Sequence, residues 1–342
     1  MRYLDPASIK AGARAGALLG VLLLGLTSIV GSGGGVAFMP SDCPPQYNCN
    51  APPPTLNAAV QPPYATVVVG AGITFAVTAN YVVGSASYHW ARSSDGGVSF
   101  ADIGGATGPA YTVAAANLAD DATAFQVTVR DGAGAVAMAT ARLAVSATPG
   151  LIFRDTEFSA SDWLVTPLAN AGASTPEHSE ESLASGGHPG AWRKMVVQIA
   201  PQSGSGRVFY TSLVASYDPG SQGAIRLIDY AEEGISLQPN VLTYTDSAML
   251  LEQAGRRYVA VARNDVTEFL PTDWSSNQSR ASLRATDFSL IQGAACQAGE
   301  ACPDFSAQGG PMRFGYWRIS FGVQGDVIAH GIDNWQVTVW RQ

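Results

Sequence analysis

ASYHWARSSDGG, Ala86–Gly97, is the stretch on which the reading of the fold turns. Tyr88 and Trp90 alternate with His89 and Ala91, the two-residue period of a half-buried strand, so Trp90 faces a core and His89 faces away. Asp95-Gly96-Gly97 then supplies a hairpin turn that can host positive φ. The same texture extends in both directions. TVVVG, ITFAVTA, FADIG, AYTVAA, FQVTVRD and VAMATARLAV are short alternating or β-branched runs, parted by GAG, GGATGP, NLADD and DGAG. Such runs at regular spacing with glycine-rich turns predict a β-sandwich over residues 60–146.

Beyond a minimal linker, ATPG at 147–150, the runs lengthen: GRVFYTSLVASY, AIRLIDYAEEGISL, RRYVAVARNDV, MRFGYWRISF and NWQVTVW. AMLLEQ at 248–253 is too short for a free-standing helix and reads as a strand entering a glycine turn. About a dozen strands over 150–342 suit two large packed sheets. The fold class expected is all-β, with a small sandwich followed by a larger two-sheet one.

Composition limits the function. The chain of 342 residues has a net charge of -8 and no run of Lys or Arg, which argues against a nucleic-acid partner. Residues 1–35 read as a signal peptide or membrane anchor. Arg2, Lys10 and Arg14 precede the apolar run Ala15–Val30, which is short for a spanning helix and suited to an export signal. It resembles bacterial lipoprotein signals, but Gly31 and Ser32 stand where those carry a cysteine. Residues 36–59 form a Pro-rich tether. The four cysteines fall into two equally spaced pairs, Cys43 with Cys49 and Cys296 with Cys302. Proximity favours local disulfides among three possible connectivities, and that chemistry needs an oxidising compartment. A zinc site is the weaker alternative, because no histidine lies near either pair. Together these features place the protein outside the cytoplasm: periplasmic, at the cell surface or secreted.

Residues 60–146 resemble bacterial immunoglobulin-like domains through Tyr88, Trp90, Ser93, Asp95-Gly96-Gly97, Ile103, Gly105-Ala106-Thr107, Tyr111-Thr112, Leu118, Asp120, Phe125 and Val127. Phe125 and Val127 stand where antibody-type domains carry a tyrosine and a disulfide cysteine, so this core must hold by packing. Residues 150–342 resemble the concanavalin-like, laminin-G-like jelly-roll domains of bacterial exported proteins. The matching stretches are Phe153–Trp163, Gly186–Met195, Tyr217–Glu233, Pro303–Arg318 and His330–Val339. The resemblance implies a carbohydrate or protein ligand and a structural calcium between the first and last strands.

No GxSxG, HExxH, P-loop or Rossmann pattern occurs, so the chain is expected not to be an enzyme. Glu232 and Glu233 are adjacent on a strand, point to opposite faces and cannot pair as glycosidase carboxylates. Calcium wants several carboxylate oxygens. Asp155 and Glu157 share a face by period two, and Asp333 opens the final strand that the resemblance sets beside the first. His178, with Glu177, Glu180 and Glu181, reads as a solvated polar insertion. Asp218, before Pro219, reads as a turn initiator. For ligand contact, Trp192 in the HPGAW loop and Trp274 in PTDWSSNQS are the expected exposed platforms, with Arg193 and Arg318 as hydrogen-bond donors. Trp335 and Trp340 have opposite parity and cannot both point inward on an unbulged strand. The expected function is a surface or secreted binding protein whose jelly-roll domain recognises a glycan or another extracellular ligand. The alternative is a structural protein–protein contact subunit of a cell-surface assembly.

Overall fold

A computed structural model describes residues 55–170, 173–237, 243–260, 270–276, 279–291 and 302–342. The leader, the tether through residue 54 with Cys43 and Cys49, and Cys296 lie outside the described residues, while the last tether residues, from Asn57, belong to the first strand. Cys302 is disulfide-bonded, and its partner also lies outside them. Pro54–Gln342 is one compact unit.

The first eight strands are β1 (Asn57–Gln61), β2 (Tyr64–Val68), β3 (Ile73–Asn80), β4 (Ser87–Ser93), β5 (Ala101–Asp102), β6 (Ala110–Val113), β7 (Ala124–Arg130) and β8 (Val136–Ser146). β1, β3 and β6 make one sheet; β2, β8, β7, β4 and β5 make the other. β2 runs parallel to β8, while the other described pairs of this half are antiparallel. The alternation around Trp90 decides the core. Trp90, Phe75, Phe125 and Val127 are buried together, and the Tyr111 ring lies 5.9 Å from that of Trp90. The Trp90 indole N–H donates to the Gly108 carbonyl at 3.0 Å, so the ring is buried without an orphaned donor. His89 faces outward and meets Asp102 at 2.9 Å. In the turn, Gly96 and Gly97 take φ of 77° and 97°, and the Asp95 carboxylate accepts the amides of Val98 and Ser99.

The larger half begins with β9 (Leu151–Asp155), β10 (Trp163–Leu168), β11 (Glu177–Gly187), β12 (Gly190–Gln198) and β13 (Ser205–Tyr217). A single helical turn, α1 (Pro219–Gln222), follows, with Asp218 capping it by accepting the Gly220 amide. Then come β14 (Ile225–Ser236), β15 (Tyr244–Gln253), β16 (Arg256–Ala260), β17 (Arg280–Leu283), β18 (Phe288–Leu290), β19 (Met312–Phe321) and β20 (Val327–Arg341). One sheet has the order β10-β13-β19-β15-β16-β18. The other has β11-β12-β20-β14-β17, with β9 also on β20. Met195, Tyr230, Trp335 and Val337 of the second sheet meet Val208, Tyr210, Met249, Phe314 and Tyr316 of the first in one core.

β20 organises its sheet. Its first half pairs with β12 and its second half with β9, so the first and last strands of this half are neighbours. Asp333 lies within the strand rather than at its opening. Beside it the register with β14 shifts between Ala231 and Glu233, and Asn334 takes φ of 48°. This bulge turns the parity of the strand, so Ile332 and Trp335 both reach the core. Trp340 remains outside, its indole N–H donating to Asp229 at 2.8 Å.

Two expectations are corrected. The acidic segment around His178 is not a solvated insertion but the edge strand β11, paired with β12. Its charges have the character of an edge, where exposed polar side chains discourage further pairing. Asp155 ends β9, so Glu157 lies beyond the strand and shares no strand face with it.

Polar contacts join the two sandwiches. Arg226 on β14 holds the Asp121 carboxylate with one nitrogen and donates to the Val145 carbonyl at 2.7 Å with the other. Thr66 on β2 donates to Asp229 at 2.9 Å and lies 2.7 Å from the Ser282 hydroxyl.

Candidate functional site

On the outward face of β12, β20 and β14, two of the expected residues come together. Trp192 belongs to β12 rather than to a loop, and only 8% of it is exposed. Its ring lies against Gly331 of β20, where an added Cβ would come within 2.7 Å of Cζ3. Glycine at 331 therefore makes room for the indole, whose N–H donates to the Ser185 carbonyl at 3.0 Å. Trp274 meets Trp192 edge-on, with centroids 5.5 Å apart and planes at 85°. It is half-buried, and its N–H donates to the Gly186 carbonyl at 3.3 Å. Trp192 is thus the support, and Trp274 is the ring that reaches solvent.

The hairpin between β11 and β12 carries a polar cluster next to this pair. Glu233 accepts from Asn334 Nδ2 at 2.7 Å and lies 3.1 Å from His188 Nδ1. Asn334 Nδ2 also donates to the His188 carbonyl at 2.6 Å. Asp333 accepts the His188 and Asn334 amides. Burial pushes the Asp333 carboxyl above the usual aspartate range, and the Glu233 charge adds to this against the two amide donors. Gly187 is required here as well, since a Cβ would lie 2.4 Å from Asp333 Oδ2. Sequence reasoning considered Glu233 only as a rejected catalytic partner of Glu232 and placed none of His188, Glu233 and Asn334 at a binding site. What would have exposed them is the register that sets Glu233 opposite Asp333, which depends on pairing across the sheet.

The other expected residues lie elsewhere. Arg193 and Arg318 are not surface donors but interior side chains between the sheets, 2% and 0% exposed. Arg193 donates to the Phe158 carbonyl at 3.0 Å and sits 5.3 Å over the Trp163 ring. Arg318 pairs with Glu232 at 3.1 Å and lies 4.8 Å over Tyr316. The strand periods that turn Trp192 and Trp317 outward send these arginines in.

The calcium set does not fit its donors. Asp155 Oδ1 accepts the amides of Glu157 and Phe158 at 2.9 and 2.7 Å, and Oδ2 accepts the Trp163 indole N–H at 2.6 Å. Three N–H dipoles aimed at the carboxylate place positive charge where a cation would need to sit. Glu157 is exposed beyond the strand. Among the described residues no three His, Cys, Asp or Glu side chains, Asp155, Glu157 and Asp333 included, form a group able to hold a metal ion.

No family model matches the chain, and no curated protein matches it. Among solved structures, the N-terminal four Ig domains of Dscam1 isoform 4.44 align at 23% identity, covering 27% of this chain and 21% of that one, with a TM-score of 0.22. Isoform 6.9 aligns at 26% identity over the same shares, also at 0.22. A marsupial T cell receptor aligns at 11% identity over 46% of this chain and 92% of its own, at 0.24. The chain spans about a fifth of the length of the Dscam1 structures. This is a weak, partial likeness to immunoglobulin-like domains and no more. No helix among the described residues is long and apolar enough to cross a membrane.

The carboxylates give the face no hydrolytic pair. Glu232 is locked inside by Arg318, and Glu233 is held outside by Asn334 and His188.

Proposed function

We propose that the protein is an exported binding protein whose larger sandwich, a concanavalin-like jelly roll over 150–342, recognises a glycan or similar extracellular ligand on the Trp274 face. The observation that carries this reading is the Trp274 ring, propped by Trp192 and flanked by the hydrogen-bonded Glu233–Asn334–His188 group. An aromatic ring beside fixed donors and acceptors suits a sugar, which offers an apolar face and a ring of hydroxyls. Two large packed sheets with adjacent first and last strands support the jelly-roll assignment. A screen of the full-length chain against neutral oligosaccharides and polysaccharides tests the reading, with Trp274→Ala as the discriminating variant. A protein-contact role is the second reading; Val136 and Met138, exposed on the outer face of β8, favour it.

A further inference from the structure

Where the two sandwiches meet, a cleft of about 350 Å³ opens between β2 and β8 on one side and β14 and the end of β17 on the other. Tyr64, Asp121, Arg142, Arg226, Ser282 and Arg284 are among the side chains that line it. Three arginines in one cleft are notable on a chain whose net charge is -8.

Their roles differ. Arg226 is committed to Asp121 and to the Val145 carbonyl, and so belongs to the junction itself. Arg142, on β8, donates to the Gly96 carbonyl at 3.0 Å, a contact that leaves its charge uncompensated. Arg284, just past β17, donates its backbone amide to Asp287 at 2.8 Å. Among the described residues neither the Arg142 nor the Arg284 guanidinium has a carboxylate within ion-pair reach. The remaining acid of the lining, Asp287, is outnumbered. Two exposed arginines therefore line the same concave space, one from each sandwich.

We infer that this cleft, separate from the Trp274 face, binds a single acidic sugar residue through Arg142 and Arg284. A guanidinium presents parallel N–H donors that match a carboxylate or sulfate, and two of them in a partly enclosed space select an anion over a neutral group. The volume sits at the low end of ligand sites, the size of one ring rather than a chain. The polar side chains of Ser282 and Tyr64 line the same space, the Ser282 hydroxyl being shared with Thr66. They suit a ring that carries its own hydroxyls better than a bare acidic side chain. Because the walls come from both sandwiches, occupancy depends on the junction being intact.

Calorimetric titration of the full-length chain with glucuronate, glucose 6-sulfate, glucose and glutarate tests this. Both anionic sugars bind, glucose and glutarate bind at least about tenfold more weakly, and the ratio between the two anions tells carboxylate from sulfate preference. Arg142→Ala and Arg284→Ala each weaken binding by about tenfold, the scale of one charge-assisted hydrogen bond. Both side chains are exposed, so the variants keep the fold, which circular dichroism verifies; Arg313→Ala, at an exposed arginine on β19 outside the cleft, leaves the affinity unchanged. Equal binding of glucose, glutarate binding as tightly as glucuronate, or undiminished affinity in both arginine variants overturns the assignment.

Discussion

Arg226 and Asp121, 105 residues apart in the chain, form the ion pair that ties the larger sandwich to the smaller one. Burial alone would raise the Asp121 carboxyl, but the Arg226 hydrogen bond, the Val145 amide and the Arg226 charge together hold it below its ordinary value of 3.8. An aspartate with a lowered folded-state pKa stabilises the fold fully above its unfolded value. That contribution is lost as the pH falls below 3.8 through the folded one. A double-mutant cycle with Arg226→Ala and Asp121→Ala should show a coupling of about 1–2 kcal/mol at neutral pH, fading in acid. Denaturant unfolding with no coupling at pH 7 would show that the pair is ornamental.

Glu232 and Arg318 lie wholly inside the larger sandwich, with Tyr230 and Ser247 donating to the carboxylate. Removing one partner strands the other charge in the core. Glu232→Ala and Arg318→Ala should therefore each cost about 3–5 kcal/mol. The double replacement Glu232→Leu with Arg318→Met should cost less than either single one, as measured by equilibrium unfolding. A double variant worse than both singles contradicts this.

His330 is fully buried, and neither ring nitrogen has a hydrogen-bond partner among the described residues. Burial, with the Arg318 charge behind it, holds its pKa well below 6.5. The unfolded chain takes up this proton near pH 6.5 while the folded one does not. Its titration therefore leaves stability untouched above that pH and lowers it below, by about 1.4 kcal/mol per pH unit. His330→Leu should flatten the pH dependence of unfolding between about pH 6.5 and 5. An unchanged slope would rule out His330 as its source.

Asp155 organises the turn after β9 through two amides and the Trp163 indole. Asp155→Ala should lower stability by about 1–3 kcal/mol through the donors it leaves unsatisfied. Chelation with EDTA should leave the melting temperature of the full chain unchanged. A drop on chelation, restored by calcium, would reinstate the metal expected from the sequence.

The all-β character was legible from the period-two runs and the inward face of Trp90 from parity, whereas Phe125 and Val127 were placed through the resemblance to immunoglobulin-like domains. Adjacency of β9 and β20 followed from a resemblance rather than from pattern. What stayed hidden depends on pairing. The segment Glu177–Gly187 is so polar that only its partner β12 makes it a strand. The bulge at Asn334, which reverses the parity of β20, leaves no composition signal. Arginine is a surface residue by default, so burial of Arg193 and Arg318 could not be read without the aromatic rings and Glu232 around them. Trp192 and Trp274 were chosen singly; their contact, and Glu233 beside them, appears only when β12, β14 and β20 are aligned.

The most direct test is glycan binding by the wild-type chain and by Trp274→Ala and Trp192→Ala, each measured beside its own unfolding curve. The account predicts that Trp274→Ala loses binding by about tenfold or more with stability changed by less than about 1 kcal/mol. Trp192→Ala, which removes the support on Gly331, should lose about 3–5 kcal/mol of stability as well as binding. A Trp274→Ala protein that binds like the wild type would contradict the assignment of this face as the recognition surface.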